Sequence, residues 1–188
     1  MALDITSLDI PEVRLIRPKR FVDDRGYFSE IYNRASYSNA GIDSEFVQDN
    51  QSLSVATGTV RGLHFQAPPF AQAKLVRVLQ GAIVDVAVDI RLGSPSYGKW
   101  VKATLTADAG EQLFVPRGFL HGFATLSPNT EVSYKVDAPY SQPHEGSVLW
   151  NDPEIGIDWE IEDSNVVVSR KDAGADFFRD FKSPFGSR

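Results

Sequence analysis

The chain holds three histidines, His64, His121 and His144, and no cysteine. Imidazole changes charge near neutral pH, so histidine is the first residue to examine for proton transfer. His64 lies in Arg61-Gly-Leu-His-Phe-Gln, and His121 in Pro116-Arg-Gly-Phe-Leu-His-Gly-Phe. Both are flanked by apolar and aromatic residues, where an idle polar group is costly. A core histidine with satisfied nitrogens fits the same surroundings. Tyr134 alternates with Val132 and Val136, and Lys74 with Val76 and Val78. This spacing puts a phenol and an ammonium on apolar strand faces. A packed tyrosine and a lysine reaching out from a strand end are the structural alternatives. Asp172 follows the segment 165–169. A carboxylate can fix the tautomer of a basic histidine and stabilise its imidazolium, although a solvated loop acid fits this position equally well.

The absence of cysteine excludes disulfides, thiolate-bound zinc and thiol catalysis. Metal-binding jelly rolls commonly bring two or three histidines and a carboxylate together, with two ligands close on one strand. His64 has no second histidine two residues away. That leaves only His64, His121 and one acid as a combination, and the expectation is a site without metal.

These side chains must be held by strands. In the segment 82–90, Ala82, Val84, Val86, Val88 and Ile90 alternate with positions that include Asp85 and Asp89. Period two of this kind predicts a half-buried strand with one apolar face. The segments 100–106, 131–137, 74–79, 111–115 and 165–169 are further candidate strands. Turn signals such as Asp108-Ala-Gly, Pro116-Arg-Gly and Ser127-Pro-Asn separate them. Helical patterning is confined to 34–40 and 173–181. Many short strands at near-regular spacing predict an all-β sandwich or jelly-roll barrel with a few short peripheral helices.

The 188 residues suit one domain over 1–188. With a formal net charge of −6, the chain lacks the basic face that nucleic-acid binding needs. The most apolar stretch is interrupted by Asp85 and Asp89, so no membrane segment is expected. The N-terminus lacks the basic and apolar regions of a signal peptide, and a cytoplasmic location is expected.

Taken together, the motifs resemble the dTDP-4-dehydrorhamnose 3,5-epimerase family, the RmlC-like sugar-nucleotide epimerases. The matching pieces are Asp24-Arg-Gly-Tyr-Phe-Ser-Glu, Gln48-Asp-Asn-Gln-Ser, Arg61-Gly-Leu-His-Phe-Gln, Gln72-Ala-Lys-Leu-Val-Arg-Val, the segments 81–91 and 116–123, Ser133-Tyr-Lys, Trp150-Asn-Asp-Pro and Ser169-Arg-Lys-Asp. They run in order over nearly the whole chain.

The resemblance implies a cupin-type jelly roll that needs no metal or organic cofactor. It implies that His64 is the general base, Asp172 its carboxylate partner, and Tyr134 the acid on the opposite face of the sugar. Lys74 is implied to stabilise an enolate oxygen, with His121 nearby. Arg25, Glu30, Gln48, Asn50, Arg61, Glu145 and Lys171 match positions that contact the nucleotide or sugar. The segment with Arg25, Phe28 and Glu30 is implied to reach into the partner subunit of a homodimer. The implied substrate is a dTDP-linked 4-keto-6-deoxy sugar, dTDP-4-dehydro-6-deoxy-D-glucose. Its carbons 3 and 5 both flank the ketone, so one cation at that oxygen can serve both inversions.

Two features depart from the pattern. After Lys171-Asp172 the family often has proline and leucine, whereas this chain has Ala-Gly-Ala-Asp-Phe-Phe. Strict alternation would also send Arg61 and His64 to opposite faces, so both reach one ligand only if Gly62 marks a bulge or bend. Rival readings are an epimerase acting on one carbon only, a non-catalytic sugar-nucleotide binder and a metal-dependent cupin enzyme.

Overall fold

The computed structural model describes residues 3–186. Its strands are β1 (Asp4–Ser7), β2 (Arg14–Arg17), β3 (Arg20–Asp23), β4 (Gly26–Ser29), β5 (Gln48–Ser54), β6 (Thr59–Gln66), β7 (Lys74–Gln80), β8 (Ala82–Asp89), β9 (Trp100–Thr106), β10 (Gln112–Val115), β11 (Phe119–Thr125), β12 (Thr130–Val136), β13 (Glu145–Ser147) and β14 (Val167–Val168). One sheet runs β1-β2-β10-β7-β12-β5 and a second runs β13-β6-β11-β8-β9, with β14 beside β6. The pairings are antiparallel except β14 with β6. β3 and β4 form a separate hairpin.

The two sheets face each other over one apolar core. Val76, Val78, Leu113 and Val132 come from the first sheet, and Ile83, Ala87, Val101, Leu105 and Phe123 from the second. This is the jelly-roll barrel that the alternation predicted. Each fully buried aliphatic side chain contributes about 1.5–3 kcal/mol. Helix α1 (Arg34–Asn39) covers the outer face of the first sheet, where Tyr37 and Ile42 pack on Ile16, Leu75 and Phe114. Asn33 starts that helix by accepting from the backbone N–H groups of Ala35 and Ser36.

β8 is not the half-buried strand expected. Positions 83–89 are buried on both faces. Its even residues Val84, Val86 and Val88 lie under the C-terminal segment, packed with Ile155, Trp159 and the partly buried Trp150 and Phe178. Its odd residues face the barrel interior, so Asp85 and Asp89 are both 0 % exposed. The alternation reported polarity correctly, but neither side meets water. The expected helix over 173–181 is also replaced. A short helix α2 (Arg170–Ala173) precedes it, and a single turn spans Phe178–Asp180. Phe178, Phe181 and Phe185 serve instead as apolar cover for the second sheet. The candidate strand 165–169 contracts to β14. Among the described residues no helix is long and apolar enough to cross a membrane.

Candidate active site

Strand β6 supplies Arg61 and His64, and it does so through a bulge. His64 faces His121 of β11 while Arg61 faces Phe123, so three residue steps on β6 oppose two on β11. Gly62 carries the extra step at φ 138°, a conformation that L side chains rarely adopt. A Cβ there would lie 2.6 Å from the Gly122 Cα. The bulge reverses the alternation, and Arg61 and His64 line the same cavity.

β7 and β12 supply the next two groups. Val136 pairs with Lys74, and Tyr134 with Val76, so Lys74 and Tyr134 point to the same side of the sheet. Lys74 Nζ stands 5.9 Å from the Tyr134 ring centroid. A cavity of ≈ 480 Å³ gathers Arg61, His64, Lys74, His121, Tyr134 and Asp172. A second hollow shares His64, Lys74 and Tyr134 and adds Gln48, Asn50 and Glu145.

Asp172 reaches the cavity from α2. Ser169 caps that helix by accepting from the Asp172 N–H, which fixes the carboxylate against β6. His64 Nε2 lies 2.7 Å from Asp172 Oδ1. A carboxylate only accepts, so Nε2 carries the proton and Nδ1 keeps its lone pair. Burial raises the Asp172 pKa, but hydrogen bonds from His64 and Ser169 outweigh it and leave the carboxyl below its usual range.

The other shifts have similar causes. Burial pushes Lys74 down to about 8, opposed by the charges of Asp85 and Glu145. Burial also lowers His121 and raises the Tyr134 phenol. A donor phenol and a neutral imidazole are thus favoured at neutral pH. Lys171 Nζ meets Glu145 at 2.6 Å, and Tyr140 donates to the same carboxylate oxygen at 3.1 Å. Gln48 donates to Asn50 at 2.8 Å. Arg61 is held by Ser54 Oγ and the Leu53 carbonyl.

This geometry can carry acid–base chemistry at a carbon beside a carbonyl. It has a base with a lone pair, a phenol and an ammonium in one cavity. Residues 7–180 match the family model described as dTDP-4-dehydrorhamnose 3,5-epimerase. The chain belongs to that family. It is 56 % identical over 167 residues to dTDP-4-dehydrorhamnose 3,5-epimerase of Sinorhizobium fredii, covering 89 % of this chain and 85 % of that one. A solved structure of dTDP-6-deoxy-D-glucose-3,5-epimerase from Legionella pneumophila, in complex with dTDP-4-keto-L-rhamnose, aligns with TM-score 0.92 at 40 % identity, covering 97 % and 96 % of the two chains. A 3′-monoepimerase from Streptomyces bikiniensis, in complex with dTDP-quinovose, aligns with TM-score 0.84 at 30 % identity, covering 91 % and 86 %.

Within this epimerase fold, ten of the thirteen residues named from sequence surround the two hollows. The other three do not. Arg25, Phe28 and Glu30 belong to the β3–β4 hairpin and its exit, and they line neither hollow of their own chain. The Arg25 side chain is 90 % exposed and, among the described residues, hydrogen-bonds only to Asp23, and Phe28 is 66 % exposed. Sequence reasoning missed Asp85, whose Oδ1 sits 2.7 Å from His121 Nε2. The signal was present. Ile83 and Ala87 flank Asp85 on its own face, so that acid stood on an apolar face too.

Proposed function

We propose that this chain inverts carbons 3 and 5 of dTDP-4-dehydro-6-deoxy-D-glucose to give dTDP-4-dehydro-β-L-rhamnose. The His64–Asp172 pair, set in one cavity with Lys74 and Tyr134, carries this reading. His64 Nδ1 removes the proton from a carbon beside the C4 ketone. The electron pair of that C–H bond moves into a C=C bond, and the ketone oxygen becomes an enolate. Lys74 stabilises the charge on that oxygen, and the same contact serves either carbon. Tyr134 then gives its phenolic proton to the opposite face of the carbon, which inverts it. Asp172 stabilises the imidazolium that forms between the two steps.

Binding follows from charge. The diphosphate calls for cations in an otherwise acidic chain, and Arg61 and Lys171 stand beside the cavity. Gln48, Asn50, His121 and Glu145 contact sugar or nucleotide. Arg25, Phe28 and Glu30 serve the neighbouring site of a homodimer, which accounts for an exposed hairpin carrying Phe28 and Tyr27. The chain acts as one domain in the cytoplasm, without metal, organic cofactor or nucleic acid.

Incubation with the keto-sugar nucleotide in D₂O, followed by NMR, tests the reading. Deuterium entry and inversion at both carbons is the expected result. Exchange at a single carbon would make the chain a one-carbon epimerase, and no exchange would make it a binder.

A further inference from the structure

One buried acid has no part in the steps above. Asp85 is 0 % exposed in the middle of β8, and its Oδ2 has no hydrogen-bond partner among the described residues. Such a carboxylate is costly unless a nearby charge offsets it. Its Oδ1 is 2.7 Å from His121 Nε2. The other ring nitrogen, His121 Nδ1, is 3.3 Å from Lys74 Nζ. Asp85, His121 and Lys74 therefore form a chain across β8, β11 and β7 that ends at the cavity.

The protons in this chain follow from what each group can do. The carboxylate accepts, so His121 Nε2 carries a proton. An ammonium only donates, so His121 Nδ1 must present its lone pair. The ring is then neutral and carries its proton on Nε2. Lys74 commits one of its three N–H bonds to His121 and keeps two for the cavity.

We propose that Asp85 is a positioning residue: acting through His121, it aims the Lys74 ammonium at the oxygen on which enolate charge collects. This rests on the epimerase reading above. Several groups face Lys74: Asp85 from β8, His121 from β11, Glu145 from β13, and His64 and Tyr134 from the shared cavity wall. Burial depresses the lysine, and Asp85 is the largest opposing influence, ahead of Glu145. Burial also depresses His121, and the Lys74 charge adds to this, which favours the neutral ring. Without the Asp85 charge, Lys74 loses a counter-charge and gives up its proton more readily.

Nitrogen-15 NMR of the histidine side chains in the unmodified protein is the first test. His121 should be neutral with its proton on Nε2 at pH 7. A ring protonated on Nδ1 alone, or an imidazolium, overturns the proposal. Asp85→Asn is the second test. Its amide can donate to Nε2, which drives the ring proton to Nδ1 and against the ammonium. The expected result is that tautomer switch, a kcat lower by roughly tenfold or more with KM little changed, and an alkaline limb of kcat/KM moved to lower pH. A variant that keeps both tautomer and alkaline limb overturns the proposal, whatever its activity. If the variant does not fold, the tautomer in the unmodified protein decides alone. Failure of the epimerase reading would look different: the unmodified protein would exchange no substrate proton in D₂O, while the tautomer remained measurable.

Discussion

His64 and Asp172 lie 108 positions apart in the chain and meet at 2.7 Å. The pair leaves His64 Nδ1 as the free lone pair of the cavity. His64→Ala should therefore abolish deuterium exchange at both carbons, by at least roughly 10²–10⁴-fold. Asp172→Asn should also be severe, because an amide can hold the wrong tautomer and cannot stabilise the imidazolium. The Asp172 pKa is depressed on folding. Its contribution to stability is complete above the unfolded value and fades as pH falls through the folded value. Acid unfolding curves of Asp172→Asn should thus lose part of the wild-type pH dependence.

Tyr134→Phe keeps the ring packed against the core between the sheets but removes the donor. Proton abstraction should survive and inversion should fail. In D₂O the variant should incorporate deuterium with retention, from the His64 side, faster than it forms epimer. Inversion of both carbons at the wild-type rate would show that the phenol is a packing residue.

The activity should have an alkaline limit set by Lys74. With its pKa held down to about 8, kcat/KM should fall as pH rises through that region, since this parameter reports the free enzyme. The same group acts in the opposite sense on stability. Between about 8 and its unfolded value the unfolded chain binds more protons, so the Lys74 contribution makes the fold more stable as pH rises. A pH–rate profile beside denaturant midpoints would separate the two effects, and a rate that stays flat above that region would contradict the assignment.

Gly62→Ala should damage fold and site together. The new Cβ would press on Gly122 and demand a strained φ. A loss of about 2–5 kcal/mol in urea unfolding is expected. Activity should fall further than stability, because Arg61 and His64 share the cavity only through this bulge.

Arg25→Ala separates the hairpin from the body of the chain. The side chain is 90 % exposed and, among the described residues, pairs only with Asp23, so stability should change by no more than ~0.5 kcal/mol. KM for the nucleotide sugar should nevertheless rise, as the proposed role of Arg25 at the neighbouring site of a homodimer requires. An unchanged KM, or a fully active monomer by light scattering, would remove the hairpin from the site.

Exhaustive chelation should leave the rate unchanged. Loss of activity with EDTA and recovery with a divalent cation would reopen the metal-dependent reading.

The sequence by itself determined the all-β class, because period two in 100–106 and 131–137 needs only a sheet with one side buried. Apolar neighbours at two-residue spacing also put Lys74 and Tyr134 on apolar strand faces. The ordered motifs identified the family and named His64 and Asp172. The remaining features depend on contacts between distant segments. Alternation is a local signal and does not say what covers a face: the C-terminal segment lies over Val84 and Val86 of β8, while the face of Ile83, Asp85 and Ala87 turns into the barrel. The bulge at Gly62 depends on how β6 pairs with β11, a relation between segments some sixty residues apart. The sequence pointed to a bulge or a bend at Gly62, and the pairing of β6 with β11 shows that it is a bulge. Arg25, Phe28 and Glu30 mark the limit of one chain: among the described residues they line neither hollow of the cavity, and the role proposed for them needs a surface that one chain does not contain.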